Sequence, residues 1–260
     1  MRGWSLAGAV LAVRWCAAGT LWVLCCPSLA YAQATWQVWA DATAQRVATE
    51  RLRYEINAEP KTELTTWVSF ESTPHTSYAV TPWLDVIGEV DVETDNEGES
   101  TNTVTVTPRV GAQLHVFSRI IGGFQGKRTG AAGLELKPVR RLDLRSLTRF
   151  ERQMRVSGAE TAGEWKIRDR LTAAYPLNRM MTTEDGAIYV TSDIEAFVRL
   201  DTPVKGGHLS QLRIRSGLGY RRNFAWRFET LYVVNARRSN TSGALEVNAQ
   251  AIDIRVVRAF

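Results

Sequence analysis

The sequence predicts an all-β chain, an antiparallel up-and-down transmembrane β-barrel of about 10 strands, with 12 as the other possibility. Three observations carry this expectation. Hydrophobicity alternates with a period of two through most of the chain. Several alternating stretches are longer than the roughly 5–6 residues usual for soluble strands. The last residue, Phe260, is an aromatic that closes one such stretch.

The first segment reads as an export signal. Arg2 is followed by an apolar stretch interrupted by Arg14, then by a run rich in Leu, Val, Ala and Cys that closes on Ala30-Tyr31-Ala32. Small residues at Ala30 and Ala32 form the pattern that signal peptidase cleaves. The run after Arg14 is shorter than the roughly 20 apolar residues a spanning helix needs. Residues 1–32 are therefore expected to be a cleaved signal peptide and residues 33–260 the barrel.

The chain has 3 cysteines, Cys16, Cys25 and Cys26, all inside the signal. Residues 33–260 thus offer no disulfide framework and no thiolate metal site. The formal charge of +5 includes two from Arg2 and Arg14. The remainder is too mild and too dispersed to point to nucleic acid.

Alternating segments then follow one another, near 35–45, 50–59, 63–71, 79–93, 103–117, 141–155, 164–176, 187–200, 208–222, 224–237 and 245–260. In the fifth, Val104, Val106, Pro108, Val110, Ala112, Leu114 and Val116 share one phase. Thr103, Thr105, Thr107, Arg109, Gln113 and His115 share the other. Successive side chains on a strand point to opposite faces, so each segment has one apolar and one polar face. The segments number eleven, but single-chain bacterial barrels have even counts. Merging two early segments gives ten, and a strand hidden in Ser118–Arg140 gives twelve. Asp41–Leu64 is the least regular part, and Ala42–Leu52 also fits a short helix. Arg222-Asn223 reads as a tight periplasmic turn, whereas Asp95–Glu99 and Arg238–Gly243 read as polar outer loops. Gly122–Lys127 lacks the spacing and following helix of a phosphate loop and reads as a flexible connection.

Aromatics lie toward segment ends on the apolar phase, at Trp36, Trp165, Tyr175, Tyr220, Trp226 and Phe260, as interfacial girdles do. Two residues break the pattern: Arg258 and Asp169 stand on apolar phases.

Trp36-Gln-Val-Trp39, Arg141-Leu-Asp-Leu-Arg145 through Arg149-Phe-Glu-Arg152, Leu212-Arg-Ile-Arg-Ser-Gly-Leu-Gly-Tyr220 and the terminal Phe260 resemble an uncharacterised family of bacterial outer-membrane proteins, known only as a domain of unknown function. The resemblance implies an outer-membrane barrel in a Gram-negative bacterium, and no activity. The terminal Phe260 resembles the signal read by the barrel-assembly machinery, which with outer-membrane lipid is an expected partner.

If the apolar phases face lipid, the lumen collects Arg145, Arg149, Arg155, Lys166, Arg168, Arg170, Arg199, Arg213, Arg215, Arg221, Arg227 and Arg255. Beside them stand Asp143, Glu151, Asp193, Glu195, Glu229 and Asp253. Cations outnumber carboxylates two to one, which suggests either Arg–carboxylate ladders filling a narrow barrel or a porin-like path preferring small anionic solutes. No cofactor, metal constellation or enzymatic activity is assignable. One alternative is a periplasmic β-rich lipid- or ligand-binding protein, which would turn its apolar phase inward. Another is an outer-membrane lipid hydrolase using His208 and Ser210. That pair resembles the His-x-Ser of lipid A deacylases, but Gln211 stands where they carry Asn, no orienting carboxylate can be named, and His75 and His115 read as ordinary loop and strand residues.

Overall fold

The structure, a computed structural model, describes residues 35–63, 66–96, 102–116, 142–157, 160–201 and 207–260. The expected signal peptide, the Gly122–Lys127 connection and the segment Ser118–Arg140 lie outside the described residues.

Among the described residues eleven strands form, each from one alternating stretch: β1 Thr35–Val47, β2 Leu52–Glu63, β3 Thr66–Thr81, β4 Leu84–Asn96, β5 Asn102–His115, β6 Asp143–Ser157, β7 Glu160–Pro176, β8 Ala187–Arg199, β9 Leu209–Asn223, β10 Trp226–Arg238 and β11 Leu245–Ala259. Each pairs antiparallel with its chain neighbours, and β1 pairs with β11 to close a barrel. The count falls between the ten and twelve that parity dictated. An odd up-and-down barrel must join its first and last strands in parallel, and β1 and β11 do so, from Thr35 opposite Ala249 to Gln45 opposite Ala259. Closure leaves no edge unpaired among the described strands.

The region that also fitted a helix is strand and turn: β1 runs on to Val47, and Ala48 and Thr49 donate backbone bonds to Leu52 O. His75 does not lie in a loop. It sits within β3, its ring on the inward face between Glu55 and Glu89. Pro74, beside it, explains the misleading signal. Proline has no N–H to give a ladder, and the β3–β4 pairing skips from Ser72 to His75. The same gap recurs where Pro60 faces β1, with pairing from Trp39 to Ala42, and where Pro108 faces β6, with pairing from Val106 to Arg109. The strands continue through all three because the neighbour on the other side still pairs with the proline-bearing residue, as Pro74 does with Ile56.

Alternation sets the barrel's polarity. The outward phases carry exposed Ile56, Val90, Val110, Leu171, Ile194, Leu218 and Ile254. The inward phases bury Glu89, Asp91, Arg149, Glu151, Arg215 and Asp253. One small apolar cluster, Trp39, Val233 and Ala251, lies inside. The barrel has two rims. Thr35 and the 239–244 turn mark one, here the N-terminal rim. Phe260 and the tight 224–225 turn mark the other, the C-terminal rim, where Phe260 N bonds Gln45 O.

The glycines of β9 serve the interior. Tyr189 of β8 lies across β9 to donate its hydroxyl to Glu229 Oε1 of β10 at 2.6 Å. It can do so because the residue beneath it is Gly219, where a Cβ would come within 2.1 Å of the Tyr189 ring. A Cβ on Gly217 would meet Thr230 O at 2.0 Å. Gly219→Ala is expected to destabilise the barrel by about 1–3 kcal/mol in urea unfolding. Gly88→Ala, on an outward site with nothing within 4 Å of the added atom, should leave the midpoint unchanged.

Candidate functional site: the charged lumen

Side chains of alternate residues from all eleven strands meet inside the barrel, and there the charges sort into walls. On the β6–β9 wall, Glu195 is fully enclosed, with 0% exposure. Five guanidinia reach its carboxylate. Arg168 makes two bonds, Nε at 2.7 Å and Nη2 at 3.1 Å, and Arg170 Nε donates at 2.8 Å. Arg149 Nη2 lies at 2.9 Å, Arg215 Nη2 at 3.4 Å and Arg213 Nη1 at 3.8 Å. The register explains the convergence: Glu195 faces Arg170 on β7 and Arg213 on β9, and their neighbours on the same phase lie one side-chain step away. Arginine suits this task because its planar fork can serve several acceptors at once, and it stays charged when buried.

The network spreads from there. Arg149 Nη1 also donates to Glu89 at 2.7 Å, and Arg215 Nε to Asp193 at 2.8 Å. Arg109 of β5 reaches Asp91 at 2.8 Å, Glu151 at 3.0 Å and Glu89 at 3.4 Å. Near the β1–β11 closure, Arg255 Nη2 meets Asp253 at 2.6 Å and Nε lies 3.7 Å from Asp41. Arg227 lies 3.5 Å from Glu229, Arg199 lies 3.0 Å from Glu164, and Arg145 lies 3.6 Å from Asp143. Of the side chains read from sequence as lumen-lining, Arg149, Glu151, Arg168, Asp193, Glu195, Arg215 and Asp253 are buried in this interior, whereas Arg155, near the end of β6, is exposed.

Sequence reasoning left out the opposite wall. Asp41, Glu55, Glu59, Glu71, Glu89, Asp91 and Glu93 enter from β1–β4, with Lys61 among them, 2.8 Å from Glu71, 3.3 Å from Glu93 and 3.4 Å from Glu59. The two-to-one cation excess is thus a property of the later strands and not of the lumen, whose signs are near balance but segregated. The signal was present: Asp85, Glu89 and Asp91 alternate with apolar residues in the same phase that leads round the barrel to Arg109. The inward aromatics Trp39 and Phe197 were also missed.

Those aromatics form a layer across the lumen. Lys61 Nζ lies 5.5 Å from the Trp39 ring centre, and the Arg213 guanidinium lies 5.2 Å from Trp39 and 5.5 Å from Phe197. The Arg168 guanidinium lies 4.6 Å from Phe197. This chain Lys61–Trp39–Arg213–Phe197–Arg168 spans from β2 through β1, β9 and β8 to β7, with cations over ring faces as their quadrupole favours. Toward the C-terminal rim follow cavities of about 170, 250 and 180 Å³ that share Glu55 and His75. Their linings are polar, and each has room for several waters.

The His208 and Ser210 pair is held differently. His208 Nδ1 lies 2.9 Å from Arg199 O, and Ser210 Oγ donates to Phe197 O at 3.0 Å. The register slips between Phe197 and Val198, which face Gln211 and Leu209, so Ser210 sits at a bulge and the i, i+2 alternation fails there. His115, read as alone on its face, lies 2.9 Å from Asp85.

On the outer surface the two exceptions to the pattern have partners. Arg258 lies over Trp226 at 4.9 Å and Phe260 at 4.7 Å. Asp169 accepts the Thr148 hydroxyl at 2.5 Å.

A family model described as Protein of unknown function (DUF2490) matches residues 36–245. No curated protein and no solved structure matches the chain.

Glu195→Gln leaves five buried guanidinia with less compensating charge. It is expected to cost about 3–5 kcal/mol in urea unfolding. In a double-mutant cycle with Arg168→Gln, the second substitution should cost markedly less in the Glu195→Gln background than alone.

Proposed function

This chain belongs to the DUF2490 family of proteins of unknown function, and we propose that it is an exported outer-membrane β-barrel whose lumen is closed by ion pairs and a cation–aromatic layer. The observation that carries the reading is inverted polarity: Ile56, Val110, Leu218 and Ile254 are about half exposed on the outside while Glu195 and Asp253 are wholly enclosed. In water an outer surface carrying so many exposed apolar side chains would be an adhesive liability. In lipid it is the required face, because a closed barrel satisfies its backbone internally and turns apolar side chains outward.

Rim chemistry supports the same reading. Tyr54, Tyr78, Trp83, Tyr220, Phe224 and Phe260 are exposed on segments near the C-terminal rim, and Trp36 near the other. Such belts suit the headgroup level. Phe260 at the end of β11 fits recognition by the barrel-assembly machinery. The periplasmic lipid-binding alternative needs an apolar cavity, and the cavities here are lined by Arg, Glu and Asp.

The closed interior favours a structural barrel over an open pore. A path preferring anions would need an unopposed ring of cations, whereas the basic wall faces an acidic one. This reading gives the chain no catalytic step.

Two measurements test it. The chain should be recovered in the outer-membrane fraction and migrate faster on electrophoresis before boiling than after. A soluble chain with no shift would end the membrane reading. In planar bilayers the wild type should show no steady conductance, and the double variant Trp39→Ala, Phe197→Ala should show discrete steps. A wide, constant conductance in the wild type would end the closed-lumen reading.

A further inference from the structure

The cavity of about 170 Å³ lies between the two charged walls, and each wall keeps charges that share a single partner. On the basic side, Arg170 and Arg213 have Glu195 as their ion-pair carboxylate among the described residues, and Glu195 is already shared with Arg149, Arg168 and Arg215. The Nε atoms of Arg149 and Arg213 are buried with no hydrogen-bond partner among the described residues. Both side chains line this cavity. On the acidic side Arg109 pairs with Glu89 and Asp91 and Arg255 lies near Asp41, while one ammonium, Lys61, is divided among Glu59, Glu71 and Glu93. Glu59 and Glu71 line the same cavity.

Opposed, incompletely compensated walls set up a field across the space between them, and the low-dielectric barrel wall concentrates it. A lone anion drawn to the guanidinia would sit opposite carboxylates. A lone cation would suffer the reverse. A molecule carrying both charges, separated by a short chain, satisfies each wall with the matching end. We propose that this cavity is a binding site for a small zwitterionic solute. Its anionic group is held by Arg170 and Arg213 and its cationic group by Glu59 and Glu71.

The site belongs to the interior of the barrel, so the inference stands apart from where the barrel resides. Arginine's fork matches a carboxylate or other oxyanion bidentately. The opposing carboxylates accept from an ammonium. Complementary charge placement of this kind selects among ligands chiefly by penalising the wrong sign.

The test uses the purified full-length chain, with a β-rich far-ultraviolet circular dichroism spectrum certifying that it is folded. Binding of an ω-amino acid series, glycine, β-alanine, γ-aminobutyrate and 6-aminohexanoate, is measured by saturation-transfer NMR beside butyrate and butylammonium. One chain length is expected to bind with a Kd at least about tenfold below either singly charged analogue. Glu59→Gln with Glu71→Gln should turn the preference toward butyrate, and Arg170→Gln with Arg213→Gln toward butylammonium. If butyrate binds the wild type as tightly as every zwitterion, the cavity is a simple anion site and the proposal fails. It fails equally if no probe binds a preparation that keeps its β-rich spectrum. The wild-type comparison decides the matter even if a variant does not fold.

Discussion

A carboxylate with no exposure to solvent, shared by guanidinia from three strands, is the arrangement on which the interior depends. Glu195 draws Arg149 from β6, Arg168 and Arg170 from β7, and Arg213 and Arg215 from β9 toward one point. Without it, like charges on adjacent strands would repel across distances at which low dielectric makes repulsion severe. With it, the second branches of the same guanidinia are free to reach Glu89 and Asp193. The barrel is therefore tied across its interior as well as along its ladders. Charge, which a soluble core would exclude, fills the space that apolar side chains have vacated by facing outward.

Closure imposes a second constraint. Eleven described strands, each antiparallel to its chain neighbours, must meet in a parallel seam, and the run of pairs from Thr35 to Gln45 along β11 satisfies it without interruption. The seam brings Asp41 beside Arg255 and Trp39 beside Asp253, residues far apart in the chain. The interior walls are assembled by this closure. The acidic strands at the start of the chain become neighbours of the last strand, and they come to face the basic strands in between.

The outer surface follows a simpler rule and breaks it where a compensating contact exists. Arg258 stands on an apolar phase but lies over Trp226 and Phe260, so its charge rests on ring faces at a rim where a long side chain can reach polar surroundings. Asp169 keeps a hydroxyl partner in Thr148 on the neighbouring strand. Both exceptions could be seen in the sequence. Their partners could not, because Trp226 and Thr148 become neighbours only through strand register.

Alternation by itself determined the fold class, most strand positions and the phase that buries Arg149, Arg168, Glu195 and Arg215, because a period of two is a local consequence of backbone geometry. It faltered at Pro74, where the missing N–H mimics a loop, and at Ser210, where a bulge shifts the phase. Tertiary structure decided the strand number, the balance of charge and the grouping of the site. Whether Lys61 divides itself among three carboxylates, or Glu195 among five guanidinia, depends on which strands become neighbours on closure and in what register. No local stretch of residues carries that information, since the interacting groups meet only when the first strand finds the last.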